Sequence, residues 1–469
     1  MQYSDLLKPL DDSQRKAVLE AARTMKNAGF ECYLVGGCVR DLLLGRSVKD
    51  LDLTSNAHPE QSRKLFKKTI PTGIEHGTIT VRLFGQSLEL TTYRTEGTYS
   101  DGRRPDQVAF GQSLSEDLCR RDFTVNALAY DPISGDLIDE HGGLQDLEDG
   151  LIRTIGAPRD RFYEDGLRPI RACRFLSTLG FSLEAVTEKA ISEPDVQDRT
   201  ALVAIERFTD ELRKGFKSPD PSLMLEKLRT SGLLRIFLNR AQMEVSVESV
   251  RTESLLHGRE AQLERFKDRI QGLEDGMDWF VDIRIFLWLR SGLPDLSPEQ
   301  AGMLLRRWKF PNHTISCFQG CQRLLQSAQK LAAADGEMAP GSLSIEEGSI
   351  PQMREDAHTG FEIRSTLFDL EKLLSHRLHS FLNVWKVALE EFPSPLPGIL
   401  FTKRMQQFVQ SYENEPFRIK DLAIGGKDLM ERGITGKEVG DKLLLCLETV
   451  WQEPTRNSRE GLLALVSHT

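Results

Sequence analysis

The sequence predicts an α+β protein, with an α/β head over residues 1–160 and an all-helical remainder. Three observations carry this. Short apolar runs alternating with period two, broken by glycine turns, lie between residues 30 and 94. From about residue 160 such runs nearly vanish and helical spacing dominates. A chain of 469 residues, 39% hydrophobic and 28% charged, suits a globular protein of about three domains.

The elements follow in order. Residues 11–29 predict a helix that stops at Gly29. "ECYLVGG" (31–37) predicts a strand entering a Gly-Gly turn, and "VRDLLLG" (39–45) a short helix ended by Gly45. "LDLT" (51–54) reads as a short strand. "GTITVRLF" (77–84) and "SLELTTYR" (87–94), separated by Gly85-Gln86, read as a hairpin. The polar "TEGTYSDGRRPDQ" (95–107) reads as a mobile loop, and residues 332–352 as a loop or insertion within the helical part.

A net charge of −9 argues against a non-specific basic coat for nucleic acid, while leaving room for a local basic groove. No stretch approaches ~18 consecutive apolar residues, and the first residues lack an export pattern, so no membrane contact and a cytoplasmic place are expected. The seven cysteines form no CxxC pair, Cys317 and Cys321 being closest; buried, reduced thiols are expected.

Chemistry concentrates in "YLVGGCVRDLLLGRSVKDLDLTS" (33–55). On a strand Asp50 and Asp52 would share one face, ~7 Å apart, and repel unless a cation or water lies between. Hard oxygen ligands of this kind suit Mg²⁺, which takes one or two carboxylates plus substrate phosphates. Alone, the pair reads more readily as a solvated strand face. Gly36 and Gly37 change the balance, because a glycine turn opening a helix lets backbone N–H groups approach an anion. Arg40 lies in reach of such phosphates, or pairs with Asp41 or Asp52. Glu89, flanked by Leu88 and Leu90, points away from the buried face and would come near on an adjacent strand. Three carboxylates beside a glycine turn are the requirements for metal-assisted nucleotidyl transfer, one metal activating a hydroxyl and a second stabilising pyrophosphate.

These residues resemble the nucleotidyltransferase superfamily, and within it the class II tRNA nucleotidyltransferases (CCA-adding enzymes) and the related bacterial poly(A) polymerases. "LVGGCVRDLLLG…DLDL" resembles the family's first motif, "RRDFTVNALAYD" (120–131) its second, and "EDGLRPIRACRFLSTLGF" (164–181) its nucleotide-selecting motif. "LAIGGKDLMERGITGKEVGDKL", followed by Asn457, is similar to the tail of the bacillus-type enzymes. The resemblance implies a nucleotidyltransferase head (1–160), a helical neck (161–235) and body (236–417), and a tRNA-binding tail (418–469). It implies Asp50, Asp52 and the less certain helper Glu89 at the catalytic centre, with Arg121, Asp122 and Asn126 at the nucleotide.

The third motif has its own physical reading. Glu164, Asp165, Arg168 and Arg171, spaced by three and four, would line one face of a helix. A carboxylate beside a guanidinium can imitate a base edge: Asp165 accepting from the exocyclic amine of C or A, Arg168 donating to a ring nitrogen. U and G present a carbonyl there and would leave buried groups unpaired. By resemblance CTP and ATP are selected this way without a template, Glu164 bracing the arginine. Gly166 and Pro169 stand where relatives often carry proline and an apolar residue. Proline requires that the helix begin near Leu167, or kink between Arg168 and Arg171.

Six arginines between 153 and 174 (153, 159, 161, 168, 171, 174) face three acids (Asp160, Glu164, Asp165), an excess expected to steer an RNA 3′ end, with Arg174 among the RNA contacts. Lys437 in "GITGKEVG", at an expected helix start, is expected as a second phosphate contact, and the stretch reads equally as a helix–turn–helix packing junction. Arg121 and Asp122 read alternatively as a structural pair, Phe123, Val125 and Leu128 as core, and His141 as a loop residue. The activity expected is addition of C and A to tRNA 3′ ends with Mg²⁺, with CTP, ATP and tRNA as partners and no protein partner evident. CC-only, A-only and poly(A) synthesis are the neighbouring activities. The Arg94–Pro105 loop and "PTGIEHGTITV" (71–81) favour a tRNA enzyme able to add the terminal A. A non-catalytic RNA-binding relative and an antibiotic nucleotidyltransferase are the readings from other classes.

Overall fold

The computed structural model describes residues 3, 5–94, 111, 113–240, 277–292, 297–334, 365–370 and 418–468. The expected loop at 95–107 and most of 332–352 lie outside them. The chain divides into two compact units, Met1–Phe237 and Leu238–Thr469.

The first unit opens with α1 (Asp12–Asn27), started by an Asp11–Gln14 capping box. Its residues Ala17, Val18, Ala21, Ala22 and Met25 recur at helical spacing and are all buried. β1 (Tyr33–Val35) then runs into the Gly-Gly turn and α2 (Gly37–Leu43). β2 (Leu51–Ser55), α3 (Pro59–Leu65), β3 (Thr69–Gly73), β4 (Thr78–Leu83) and β5 (Gln86–Thr92) follow. After α4 (Leu114–Cys119) come β6 (Leu128–Tyr130), β7 (Leu137–Asp139), α5 (Gly143–Glu148) and β8 (Leu151–Ile152). The seven-stranded sheet has the order β3-β4-β5-β2-β1-β6-β7. Only β2 and β5 are parallel neighbours; the other pairs are antiparallel. That one parallel pairing puts the strand after Asp50 directly beside the strand carrying Glu89.

The hairpin turn differs by one residue from the expected one. Its two central residues are Phe84 and Gly85, both with positive φ (49° and 80°), and Gln86 already pairs with Leu83. Two left-handed residues in a two-residue loop match the right-handed twist of the strands, which a turn centred on Gly85-Gln86 would not.

Helices α6 (Pro158–Glu164), α7 (Arg168–Leu179), α8 (Ala185–Ile191), α9 (Pro194–Ala201), α10 (Ile205–Phe216), α11 (Pro221–Thr230) and α12 (Leu233–Arg240) complete this part. The strand signal does not end at 160: β9 (Ser182–Leu183) pairs in parallel with β8. Asp165 breaks the chain between α6 and α7 with φ −131° and ψ 105°. α7 therefore starts at Arg168, and Pro169 sits in its first turn, where the missing N–H costs nothing. Gly166 is required by close approach, since a Cβ there would lie 2.6 Å from the carbonyl oxygen of Arg199.

In the second unit, helices Met277–Gly292, Pro298–Arg307 and Asn312–Ala334 share a core in which Trp288 stacks on Trp308 (6.3 Å) and Phe286 meets Phe318 (5.0 Å). Ala332–Ala334 thus end a helix. Farther on, Leu429, Cys446, Leu447, Val450 and Leu462 form the core of helices Gly426–Met430, Lys437–Gln452 and Arg459–His468. Asn457 pins the preceding turn, donating to the carbonyl of Asp421 and accepting from the amide of Ala423. All seven cysteines are free; six are buried, and Cys119 is exposed.

Phe84 is 55% exposed at positive φ. Replacing it with Asn, which tolerates that conformation, is predicted to stabilise the hairpin by about 1 kcal/mol, read as a raised midpoint of the first thermal transition.

Candidate active site

Gly36 needs its φ of 76°, and a Cβ on it would fall 2.8 Å from Nη1 of Arg121. The turn is therefore roofed by a guanidinium, which a side chain at this position would displace. α2 begins directly at Gly37 with no side chain capping its first amides. Beneath, Cys38 donates to the carbonyl of Val35 (3.0 Å).

Asp52 lies on β2 in direct register with Glu89 on β5, so both side chains leave the sheet on one face of neighbouring strands ~4.8 Å apart. Asp50 precedes β2 by one residue and is exposed. The carboxyl of Asp52 is pushed up to about 6, first by burial, then by Glu89 and Asp50, against the opposing pull of Arg121. It is a cluster of negative charge that the protein leaves only partly balanced. Among the described residues no three His, Cys, Asp or Glu side chains converge as a metal cage.

Asp122 is the opposite case. Burial acts to raise its carboxyl, but Arg171, Asn126 and Arg168 outweigh it and hold it down to about 2. Its oxygens accept from Arg171 Nε (2.7 Å), Asn126 Nδ2 (3.0 Å) and its neighbour's amide, Phe123 N (2.9 Å). Asn126 in turn accepts from Arg40 Nη1 (2.6 Å), and Arg40 is also held by Asp41 (2.8 Å). The expected Arg121–Asp122 pair does not form. Arg121 turns to Asp117 (3.0 Å), which Arg120 also grips (2.6 Å). Phe123, Val125 and Leu128 are fully buried, as core residues should be. His141 lies in the loop between β7 and α5.

The four residues expected to select the base do not share one helix. Glu164 ends α6, Asp165 lies in the break, and Arg168 and Arg171 open α7. Glu164 and Arg168 nonetheless meet across the break, whereas Asp165 turns to Arg207 and Arg171 to Asp122. Glu164 accepts from Arg168 Nη1 at 2.6 Å, and that guanidinium also donates to the carbonyls of Arg161 and Arg120 (2.9 Å each).

The expected basic excess is cancelled. Arg153 pairs with Asp146 and Glu184, Arg159 with Glu193 and Asp195, and Arg161 and Arg168 with Glu164. Arg171 pairs with Asp122, and Arg174 with Glu211 (2.5 Å). Counting charge inside a window overlooks acids brought in from other elements. Arg174, expected at an RNA surface, is 8% exposed and lies 3.9 Å over the ring of Phe175, an interior placement. Lys437 is exposed as the first residue of its helix, after Gly436 with φ 64°.

Four contributors escaped the sequence reading: Asp117, Arg207, Glu211 and Arg46. Arg207 pairs with Asp165, Glu211 with Arg174 and Arg171, and Arg46 donates to the last carbonyls of α7, Thr178 and Leu179. Only the four-residue spacing of Arg207 and Glu211 on an amphipathic helix hinted at a shared face.

A glycine turn opening a helix beside partly balanced carboxylates on a mixed sheet is the arrangement of a nucleotidyltransferase. Residues 32–153 match the family described as the Poly A polymerase head domain, and residues 180–243 the probable RNA and SrmB-binding site of polymerase A. The chain is 40% identical over 453 residues to the CCA-adding enzyme of Lactobacillus delbrueckii subsp. bulgaricus, spanning 96% of both. With that of Lactiplantibacillus plantarum it shares 32% over 458 residues, 97% of this chain and 96% of the relative. The crystal structure of the Bacillus stearothermophilus CCA-adding enzyme in complex with CTP is similar over 98% of each chain, at 28% identity and a TM-score of 0.60. The chain belongs to the CCA-adding enzyme family.

The raised carboxyl has a consequence for stability. Folded Asp52 keeps its proton up to about pH 6, whereas an unfolded aspartate loses it near ~3.9. The folded state holds the extra proton in that window, so the metal-free protein loses stability as pH rises through it. Asp52→Asn is predicted to stabilise the metal-free protein at pH 7 by about 1–3 kcal/mol, with the gain gone by about pH 4. Urea unfolding with a chelator at both pH values reads this.

Proposed function

We propose that this chain adds CCA to the 3′ ends of tRNA without a template, the terminal hydroxyl attacking the α-phosphate of CTP or ATP and pyrophosphate leaving. One observation carries the assignment of the reacting centre: Asp52 and Glu89 in register beside the Gly36-Gly37 turn, their charge only partly balanced. Members of the family in complex with CTP, and with ATP, support the choice of substrates, and the described helices include none long and apolar enough to cross a membrane.

Enzymes of this family use divalent metal ions. The residues here fit one, because a half-buried carboxylate whose ionisation is opposed by Glu89 and Asp50 gains from a hard cation. Asp50 and Asp52 would hold Mg²⁺, with Glu89 as a flanking helper. Bound there, the ion would acidify the attacking hydroxyl and offset charge on the triphosphate.

The chain's own groups do the rest. The amides of Gly37 and the start of α2, which no side chain caps, face the phosphates with Arg121 above them, while the Gly36 amide donates to the carbonyl of Leu128 (3.2 Å). Arg40 acts through Asn126, holding its amide against Asp122 and so fixing the segment that passes under the sugar. Asp165 accepts from the exocyclic amine of C or A and Arg168 donates to the ring, while Glu164 holds the guanidinium still. Arg171, locked on Asp122, ties the selecting helix to the head. We assign residues 1–160 to the head, 161–235 to the neck, 236–417 to the body and 418–469 to the tail. In this assignment tRNA lies along body and tail, with Lys437 on a phosphate.

Extension of tRNA transcripts ending before CCA, after C and after CC, each with CTP, ATP or both, tests the activity. Two C's and one A followed by a stop are expected; a long A tail, or only C or only A, would overturn the assignment of CCA. Asp52→Ala is predicted to lower incorporation at least 10³-fold while tRNA affinity changes less than threefold; retained activity would remove the metal role. Arg168→Ala is predicted to slow incorporation and admit UTP and GTP.

A further inference from the structure

We infer that Arg207 is a positioning residue for nucleotide choice, acting through Asp165; this rests on Asp165 as the base-reading carboxylate. Asp165 is in no regular element. It sits in the break between α6 and α7, where a side chain has no helical neighbours to fix its rotamer. A carboxylate in that place turns freely about its last torsion unless something grips both ends. Two groups do. The amide of Leu167 donates to Oδ1 at 3.0 Å, and Arg207 donates to Oδ2 at 3.1 Å and to Oδ1 at 3.5 Å. The first contact is local backbone and comes with the turn itself. The second comes from α10, 42 residues away in sequence, and sets the plane of the carboxylate.

The plane matters because discrimination here depends on direction. An exocyclic amine of C or A is rewarded only if an acceptor lone pair points at it. The carbonyl of U or G is rejected only if no reorientation can spare the carboxylate from facing it. A swivelling Asp165 relaxes both conditions. Arg207 is itself well placed to stay fixed. It stands one helical turn before Glu211, which is 2% exposed and binds Arg174 and Arg171. α10 thus braces the selecting segment at two levels: Glu211 anchors the arginines of α7, and Arg207 aims the carboxylate in front of them. Arg207 is one-third exposed, and the carboxylate its removal leaves behind is 22% exposed and still held by the amide of Leu167.

The test is competitive incorporation by the full-length enzyme on tRNA ending before CCA and after CC, comparing CTP with UTP and ATP with GTP. The variants are Arg207→Ala, Arg207→Lys, Asp165→Ala and the double variant Arg207→Ala/Asp165→Ala. Arg207→Ala should lower both discrimination ratios about tenfold with tRNA affinity within threefold of wild type. Arg207→Lys, which keeps a charged donor, should recover more than half of the loss on a logarithmic scale. The double variant should be no less selective than Asp165→Ala alone. Arg207→Ala as selective as wild type, beside a defective Asp165→Ala, would overturn the role of Arg207 and leave the base-reading assignment standing. Additive losses in the double variant would also overturn it. A fully selective Asp165→Ala would instead remove the base-reading assignment on which the inference stands.

Discussion

The nearly buried carboxylate of Asp122 is the point on which the packing of α7 against the glycine-turn region depends. It takes one bond from Arg171 on α7 and another from Asn126, whose own carbonyl takes one from Arg40 on α2. A single oxygen pair therefore fixes the helix behind the glycine turn relative to the helix that begins with Arg168. Removing one partner of such a pair leaves an uncompensated interior charge, at a cost of about 3–5 kcal/mol. Arg40, Arg171 and Arg174 also surround the ring of Phe175, at 5.4, 5.6 and 3.9 Å. Three guanidinium groups gather there only because Asp41, Asp122 and Glu211 each neutralise one.

Set beside Asp122, Asp52 shows how one protein gives two aspartates opposite characters. Both are largely withdrawn from water. Asp122 has more positive charge around it than it needs and is held down to about 2. Asp52 has Glu89 and Asp50 for neighbours and is held up at about 6. The first arrangement is stable by itself and serves as scaffold. The second is an incomplete one that a cation would complete, so the parallel β2–β5 register concentrates at one place what the rest of the fold avoids.

The glycine turn, the short strands and the hairpin were legible in the sequence, because glycine placement and period two are local signals; Glu89 comes near Asp52 only through the β2–β5 pairing, which those signals do not specify. The start of α7 was legible as one of two options, and Pro169 in the first turn is the one realised. What could not be read was pairing at a distance. Arg171 finds its partner 49 residues back at Asp122, Arg174 finds Glu211 37 residues ahead, and Asp165 finds Arg207. For that reason six arginines that looked like an RNA groove are instead neutralised, and Arg174 is interior. The hairpin turn slipped by one because Phe84 is not a residue that composition would place at positive φ.

The same pairing would suit Arg168 and Asp165 to the base-reading role proposed for them. An unrestrained arginine or aspartate that closes on a nucleotide must give up rotamer freedom as it binds, up to ~2 kcal/mol for an arginine. That loss dilutes any difference between a matching and a mismatching base edge, because both edges ask for it. In this chain Arg168 is already held by Glu164 and two backbone carbonyls, and Asp165 by Leu167 and Arg207. The loss has been taken at folding, so in the proposed role it would be common to every nucleotide and the match at the base edge would decide. A template supplies such rigidity through a second strand; without one, the rigidity has to come from ion pairs inside the protein.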